Sequence, residues 1–183
     1  QEVKDAAINA AGLMVANLGD EVGEKEVKDT LAVLVERLSN EITRLTTVKV
    51  FGKIASSPLK LPLAPVLPDV VKELASFLRK QNRQLKQASL STLEVVVRNY
   101  GKEKAVAALF PNVLTELSPL ISDADLHITQ LSLGLAVAML KASPDAAANV
   151  RDVTYPKSIE LVQSSLLQGQ ALQALLSLFA ELV

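Results

Sequence analysis

One helical signature recurs about every 40 residues along this 183-residue chain, and a recurrence of that length restricts the fold to stacked units. Three stretches line up at once: Leu67-Pro68-Asp69-Val70-Val71, Phe110-Pro111-Asn112-Val113-Leu114 and Tyr155-Pro156-Lys157-Ser158-Ile159. Counting from the proline, apolar side chains fall at +3 (Val71, Leu114, Ile159), +6 (Leu74, Leu117, Val162) and +10 (Leu78, Ile121, Leu166). Spacings of three and four residues place them on one face of a helix. Proline suits the first turn, where its missing N–H has no intrahelical partner to lose. The preceding Leu67, Phe110 or Tyr155 can pack back on that turn. A copy without the proline runs through Leu31, Leu34 and Leu38. These are the A helices.

A second family alternates with them. Ile8, Val48, Leu90, Leu133 and Leu172 are 40, 42, 43 and 39 residues apart. Each is followed at +3 by Ala11, Phe51, Leu93, Ala136 or Leu175, and at +6 by Met14, Ile54, Val96, Met139 or Leu178. The residue before each anchor is small (Ala7, Thr47, Ser89, Ser132, Ala171), which lets a neighbouring helix come close. These are the B helices.

The predicted fold is therefore all-α, an α-α superhelix of about nine helices in four and a half repeats. The approximate units are a half repeat over 1–19, then 20–58, 59–101, 102–143 and 144–183. A two-helix unit cannot cover both its apolar faces alone, so the units stack into a solenoid. A period near 40 fits HEAT or armadillo units and exceeds the 34 residues of a tetratricopeptide; with no third helix per repeat in the pattern, HEAT is preferred. Strand signals are absent, because Val95-Val96-Val97 fits inside a helical stripe. The chain starts with an orphan B helix and stops at Leu182-Val183 inside an apolar one, and neither end has the polar outer face of a capping repeat, so it reads as an interior piece of a longer array.

Composition removes several chemistries. Without cysteine there is no disulfide, thiolate metal site or cysteine nucleophile, and a single histidine, His127, cannot build a multi-histidine centre. The longest uncharged stretch, Leu161 to Ala180, carries too many glutamines and serines for a bilayer span. No secretory leader is visible, so an intracellular soluble protein is expected, cytoplasmic and nuclear. His127 near Asp123 and Asp125 sits at a helix start, where the aspartates read as caps rather than catalytic partners. Gly101-Lys102 lacks the earlier glycine of a phosphate loop. The expectation is a protein without catalytic centre or cofactor.

A net charge of −1 conceals three blocks. Residues 1–36 hold 3 basic against 8 acidic side chains, residues 37–104 hold 13 against 5, and residues 105–183 hold 3 against 7. Arg44, Lys49, Lys53, Arg79, Lys80, Arg83 and Lys86 form the basic band and are the candidate contact residues for an acidic protein partner. Lys4, Arg44 and Lys86 share one register, four residues before the anchor. The competing reading is a solvated surface. Nucleic acid fits poorly, since aromatics are not interleaved with the cations and the acidic flanks repel phosphate.

Several stretches add a resemblance to these patterns: Asn40-Glu41-Ile42-Thr43-Arg44-Leu45-Thr46-Thr47-Val48-Lys49, Ser56-Ser57-Pro58-Leu59-Lys60, Ala75-Ser76-Phe77-Leu78-Arg79-Lys80, Pro119-Leu120-Ile121-Ser122 and Ser165-Leu166-Leu167-Gln168-Gly169. Across essentially the whole chain these resemble the cullin-associated, neddylation-dissociated proteins, also described as TATA-binding-protein interactors. The resemblance implies an all-HEAT solenoid that regulates cullin–RING ubiquitin ligases by wrapping the unneddylated scaffold and exchanging its substrate-receptor modules. It also implies TATA-binding protein as a possible partner, while the charge and hydropathy patterns point to neither nucleic acid nor membrane. The runner-up is a HEAT adaptor for nuclear transport or another protein-binding role.

Overall fold

The computed structural model describes residues 1–183, and every regular element in it is helical. The major helices are α1 (Glu2–Leu18), α2 (Glu24–Leu38), α3 (Arg44–Ala55), α4 (Leu67–Phe77), α5 (Arg83–Tyr100), α7 (Phe110–Leu117), α8 (Leu126–Ala142), α10 (Tyr155–Val162) and α11 (Gly169–Leu182). Two one-turn helices, α6 (Lys104–Ala107) and α9 (Ala146–Asn149), precede α7 and α10. The B helices α1, α3, α5, α8 and α11 pack one on the next in a layer. The A helices α2, α4 and α7, followed by the α9–α10 segment, form the second layer.

The nine helices read from the repeat are all present, and the two extra turns come from proline. Pro68, Pro111 and Pro156 each occupy the first or second helical position. In the third A segment the chain leaves the helix at Ala108-Leu109 before restarting at Phe110. In the fourth it stays wound, through a π-type stretch at Val150–Thr154. Proline cannot donate to the carbonyl four residues earlier and its ring crowds that oxygen, so a widened turn accommodates Pro156.

Contact across repeats is sealed by side chains about one period apart. Thr92 Oγ1 donates to Val48 O at 3.0 Å, Asn99 Nδ2 to Ala55 O at 2.8 Å, and Tyr100 OH to Leu61 O at 3.1 Å. Thr46 Oγ1 donates to Asp5 Oδ1 at 2.7 Å, Ser164 Oγ to Asp123 Oδ2 at 2.6 Å, and Lys141 pairs with Glu181 at 3.3 Å. Burial deprives Tyr100's phenolate of solvation and raises its pKa above the ordinary value, with the Glu103 charge adding to the effect.

The apolar stripes are complete in the middle of the stack and open at its flanks. Ile8, Val48, Leu90 and Leu133 are buried, but Leu172 on α11 is 38% exposed while Ala171, Leu175 and Leu178 are covered. Of the expected row, Ile159 and Val162 on α10 and Leu166 in the turn after it are exposed, and Ser158 and Leu161 are buried instead. The side of α10 that carries Thr154 and Ser158 turns toward α7, where Ser118 Oγ meets Thr154 Oγ1 at 3.1 Å. An outermost helix of each layer has a packed neighbour on one side only. Every large exposed apolar residue accordingly falls within 3–42 or 155–183. Tyr155 is itself 41% exposed and meets Phe179 edge-on, with ring centroids 5.8 Å apart.

Candidate protein-binding surface

The seven basic candidates divide by what their charges already do. Arg44 has only 15% of its side chain exposed. Its guanidinium lies 5.0 Å above the Phe77 ring and donates to Ser39 O at 3.0 Å and Leu38 O at 3.4 Å, the carbonyls that end α2. A planar cation is suited to both contacts. Thr129 takes the same register on α8 and donates to Leu120 O and Ser122 O, behind α7. On α3 and α8 this register therefore fastens the B helix to the end of the preceding A helix. Lys4, in that register on α1, lies instead beside an apolar concavity between α1 and α2 that includes Ala7, Ile8, Ala11, Val33 and Leu34.

Arg79 and Arg83 are held by acidic residues of the next repeat. Arg79 Nε stands 3.2 Å from Glu116 Oε2, and Arg83 makes a two-pronged pair with Asp125. The Asp125 hydrogen bond is the main cause of the raised Arg83 pKa, and the Arg83 hydrogen bond is the main cause of the lowered Asp125 pKa. Asp125 also accepts from Ile128 N at 3.1 Å as the N-cap of α8. Asp123 is engaged with Ser164. Both aspartates beside His127 are thus committed to structural contacts.

Lys49, Lys53, Lys80 and Lys86 make none of the ion pairs in the structure. Lys80 is exposed in the turn before α5, and Lys86 is half-buried in the first turns of that helix. Lys49 and Lys53, four residues apart on one side of α3, face a groove of about 520 Å³ between α3 and α5. Gln84, Gln87, Ser91, Ser56 and Thr92 supply most of its remaining polar lining. Its geometry is fixed from below. A Cβ on Gly52 would sit 3.0 Å from Thr92 Oγ1, so glycine permits the close approach of α3 and α5 that the Thr92–Val48 hydrogen bond then holds. Two exposed, unpaired cations above a groove with many hydrogen-bonding groups can receive carboxylates and peptide backbone from a partner.

The sequence reading selected Lys49 and Lys53 but not Gln84, Gln87 or Gly52. The recurrence of glycine at one B-helix register, Gly12 and Gly52, each four residues after an anchor, was the available signal.

No family model matches the chain. Among curated proteins, it is 45% identical over 186 residues to "Cullin-associated NEDD8-dissociated protein 1" of Arabidopsis thaliana, a match covering 100% of this chain and 15% of that protein. It is 42% identical over 183 residues to the protein of the same name from Drosophila melanogaster, covering 100% and 14%. "Cullin-associated NEDD8-dissociated protein 2" of Mus musculus is 37% identical over 174 residues, covering 95% and 14%. The chain thus spans about one seventh of the length of these relatives. Two engineered proteins of known crystal structure share its fold, with TM-scores of 0.77 and 0.78 at 18% and 14% identity. They cover 98% and 99% of this chain, which covers 74% and 73% of theirs.

Proposed function

This chain is homologous along its whole length to one segment of the cullin-associated NEDD8-dissociated proteins, and on that premise we propose that it is a non-catalytic scaffold segment of a cullin-binding assembly factor. The observation carrying the reading is identity of 45% over the full chain, combined with a repeat fold whose basic candidates are either locked into its own structure or displayed over the α3–α5 groove. The factor favours one arrangement of a multi-subunit ligase by binding it better than another. The unneddylated cullin–RING scaffold is the preferred state. In this segment Lys49 and Lys53 supply the contact with acidic side chains, Lys80 and Lys86 extend the positive field, and Arg44, Arg79 and Arg83 maintain the repeat stack.

The test is co-purification of the full-length parent with cullin–RING complexes, with and without the ubiquitin-like modifier attached. Capture of the unmodified complex and loss of the modified one is the expected result. The K49E/K53E double variant should weaken capture, most visibly at low salt, because exposed charges are screened over about 8 Å at physiological ionic strength. Equal capture of both cullin forms would refute the preference. Transport factors in the same pull-down address the adaptor alternative.

A further inference from the structure

Ser57 lies in the longest connection between helices, residues 56–66, and is followed by Pro58, Leu59 and Lys60. We infer that Ser57 is a phosphorylation site for a proline-directed serine/threonine kinase, and that its phosphate loosens α1 from the loop that clamps it. A kinase pocket that leaves the +1 position without a hydrogen-bond acceptor favours proline, which has no N–H to strand. A basic side chain at +3 completes recognition by pairing with an acidic kinase surface.

The three Ser-Pro pairs of the chain are not equivalent. Ser118 is 3% exposed and bonded to Leu114 O and Thr154 Oγ1, and the residue three places on is Ile121. Ser143 leads into α9 with Ala146 at +3. Ser57 alone combines a connection between helices, an exposed proline and an exposed lysine at +3. Lys60 also has φ +48, the only positive φ outside glycine, so the chain turns there rather than continuing extended.

The loop grips α1 at two points. Ser57 Oγ donates to Ala16 O near the helix C-terminus, and Leu61 lies against Gly19, where a Cβ would stand 2.6 Å from Leu61 Cδ2. In phosphorylation, Ser57 Oγ attacks the γ-phosphorus of ATP. The new Oγ–P bond replaces the bond to the β-phosphate oxygen, ADP leaves, and the hydroxyl proton passes to the kinase's carboxylate base. The ester oxygen can no longer donate to Ala16 O. Its phosphate then faces the negative end of the dipole of α1, a helix that belongs to the acidic block 1–36.

The experiment incubates the chain with a proline-directed kinase and ATP, maps phosphate by peptide mass spectrometry, and follows hydrogen exchange. Support would be one phosphate on Ser57, none on S57A, incorporation slowed about tenfold in K60A, and faster exchange in the last turn of α1 with α8 unchanged. Transfer to Ser143 instead, or no transfer to the folded chain, would overturn the site. Full phosphorylation with unchanged exchange in α1 would overturn its effect.

Discussion

Arg83 grips Asp125 with two hydrogen bonds, Nε to Oδ2 at 2.6 Å and Nη2 to Oδ1 at 3.2 Å, joining the first turn of one B helix to the N-cap of the next. The residues are 42 apart, one repeat, so the pair reports the stacking directly. It also turns the densest basic run of the sequence partly inward, toward the molecule's own acids.

Acid should weaken this joint in a defined direction. Asp125 has its pKa held below the ordinary 3.8, chiefly by Arg83, against desolvation, with the Ile128 N–H assisting. A carboxylate depressed in the folded state stabilises it above the unfolded pKa, and that contribution disappears as pH falls through the folded value. Asn82 caps α5 at the equivalent place, accepting from Leu85 N at 2.9 Å, so D125N keeps a competent cap while losing the charge and one of the two acceptors for Arg83. D125N should be less stable than the parent at pH 7, with the difference shrinking as pH falls from the ordinary carboxylate value of 3.8 through the lower folded-state value. Urea denaturation followed by circular dichroism across pH 2–7 measures it. A pH-independent difference would contradict the assignment.

Arg44 separates a structural from a contact role. Its guanidinium stacks on Phe77 and holds the carbonyls of Leu38 and Ser39. R44A should cost about 1–3 kcal/mol through lost charged hydrogen bonds and packing. R44K should recover only part, because an ammonium cannot stack and fork together. Equilibrium denaturation gives both numbers. A neutral R44A would return this residue to the list of solvent-facing contacts.

The fold was legible because its period is written in residues that must be buried. Leu31, Leu34 and Leu38, or Val48, Phe51 and Ile54, have a single stable home, and the structure puts all six in the core. The rows of Ile159 and Leu172 read the same way, yet Ile159, Val162 and Leu172 are exposed, and only Leu175 and Leu178 of the second row are buried. Periodicity marks a face but not whether another helix covers it. The π-type turn before Pro156 also escaped, since proline signals a helix start and a bend with the same letter. The candidate surface was legible only as charge. Nothing in the spacing of Arg79, Arg83 and Arg44 announces Glu116, Asp125 or Phe77 as partners, because those contacts cross between elements.

Two buried hydroxyls one turn apart on α5 should respond oppositely to removal. Thr92 Oγ1 donates to Val48 O across the repeat boundary, whereas Ser89 Oγ is buried with no partner. T92V removes the second hydrogen bond on a carbonyl already paired within α3 and should cost about 0.5–1.5 kcal/mol. S89A removes an unpaired polar atom and should be neutral or stabilising by up to about 1 kcal/mol. Chemical denaturation of both, with unchanged denaturant dependence, decides the contrast. Loss of stability in S89A would mean its hydroxyl has a partner in solution.

Glycine gives the sharpest test of how closely the B helices approach. At Gly12 a Cβ would lie 2.2 Å from Val50 Cγ1 and 3.3 Å from Val50 Cβ, so G12A must shift the valine or part α1 from α3. Overpacking of this kind costs about 1–3 kcal/mol. At Gly134, inside α8, the nearest heavy atom to a new Cβ is Glu94 Oε2 at 3.6 Å, an ordinary contact. There G134A should stabilise by about 0.5–1 kcal/mol, the helix preference of alanine over glycine. Melting temperatures of the two single variants should therefore move in opposite directions. If G12A melts no lower than the parent, the close α1–α3 contact is wrong, and the spacing of the B-helix layer must be redrawn.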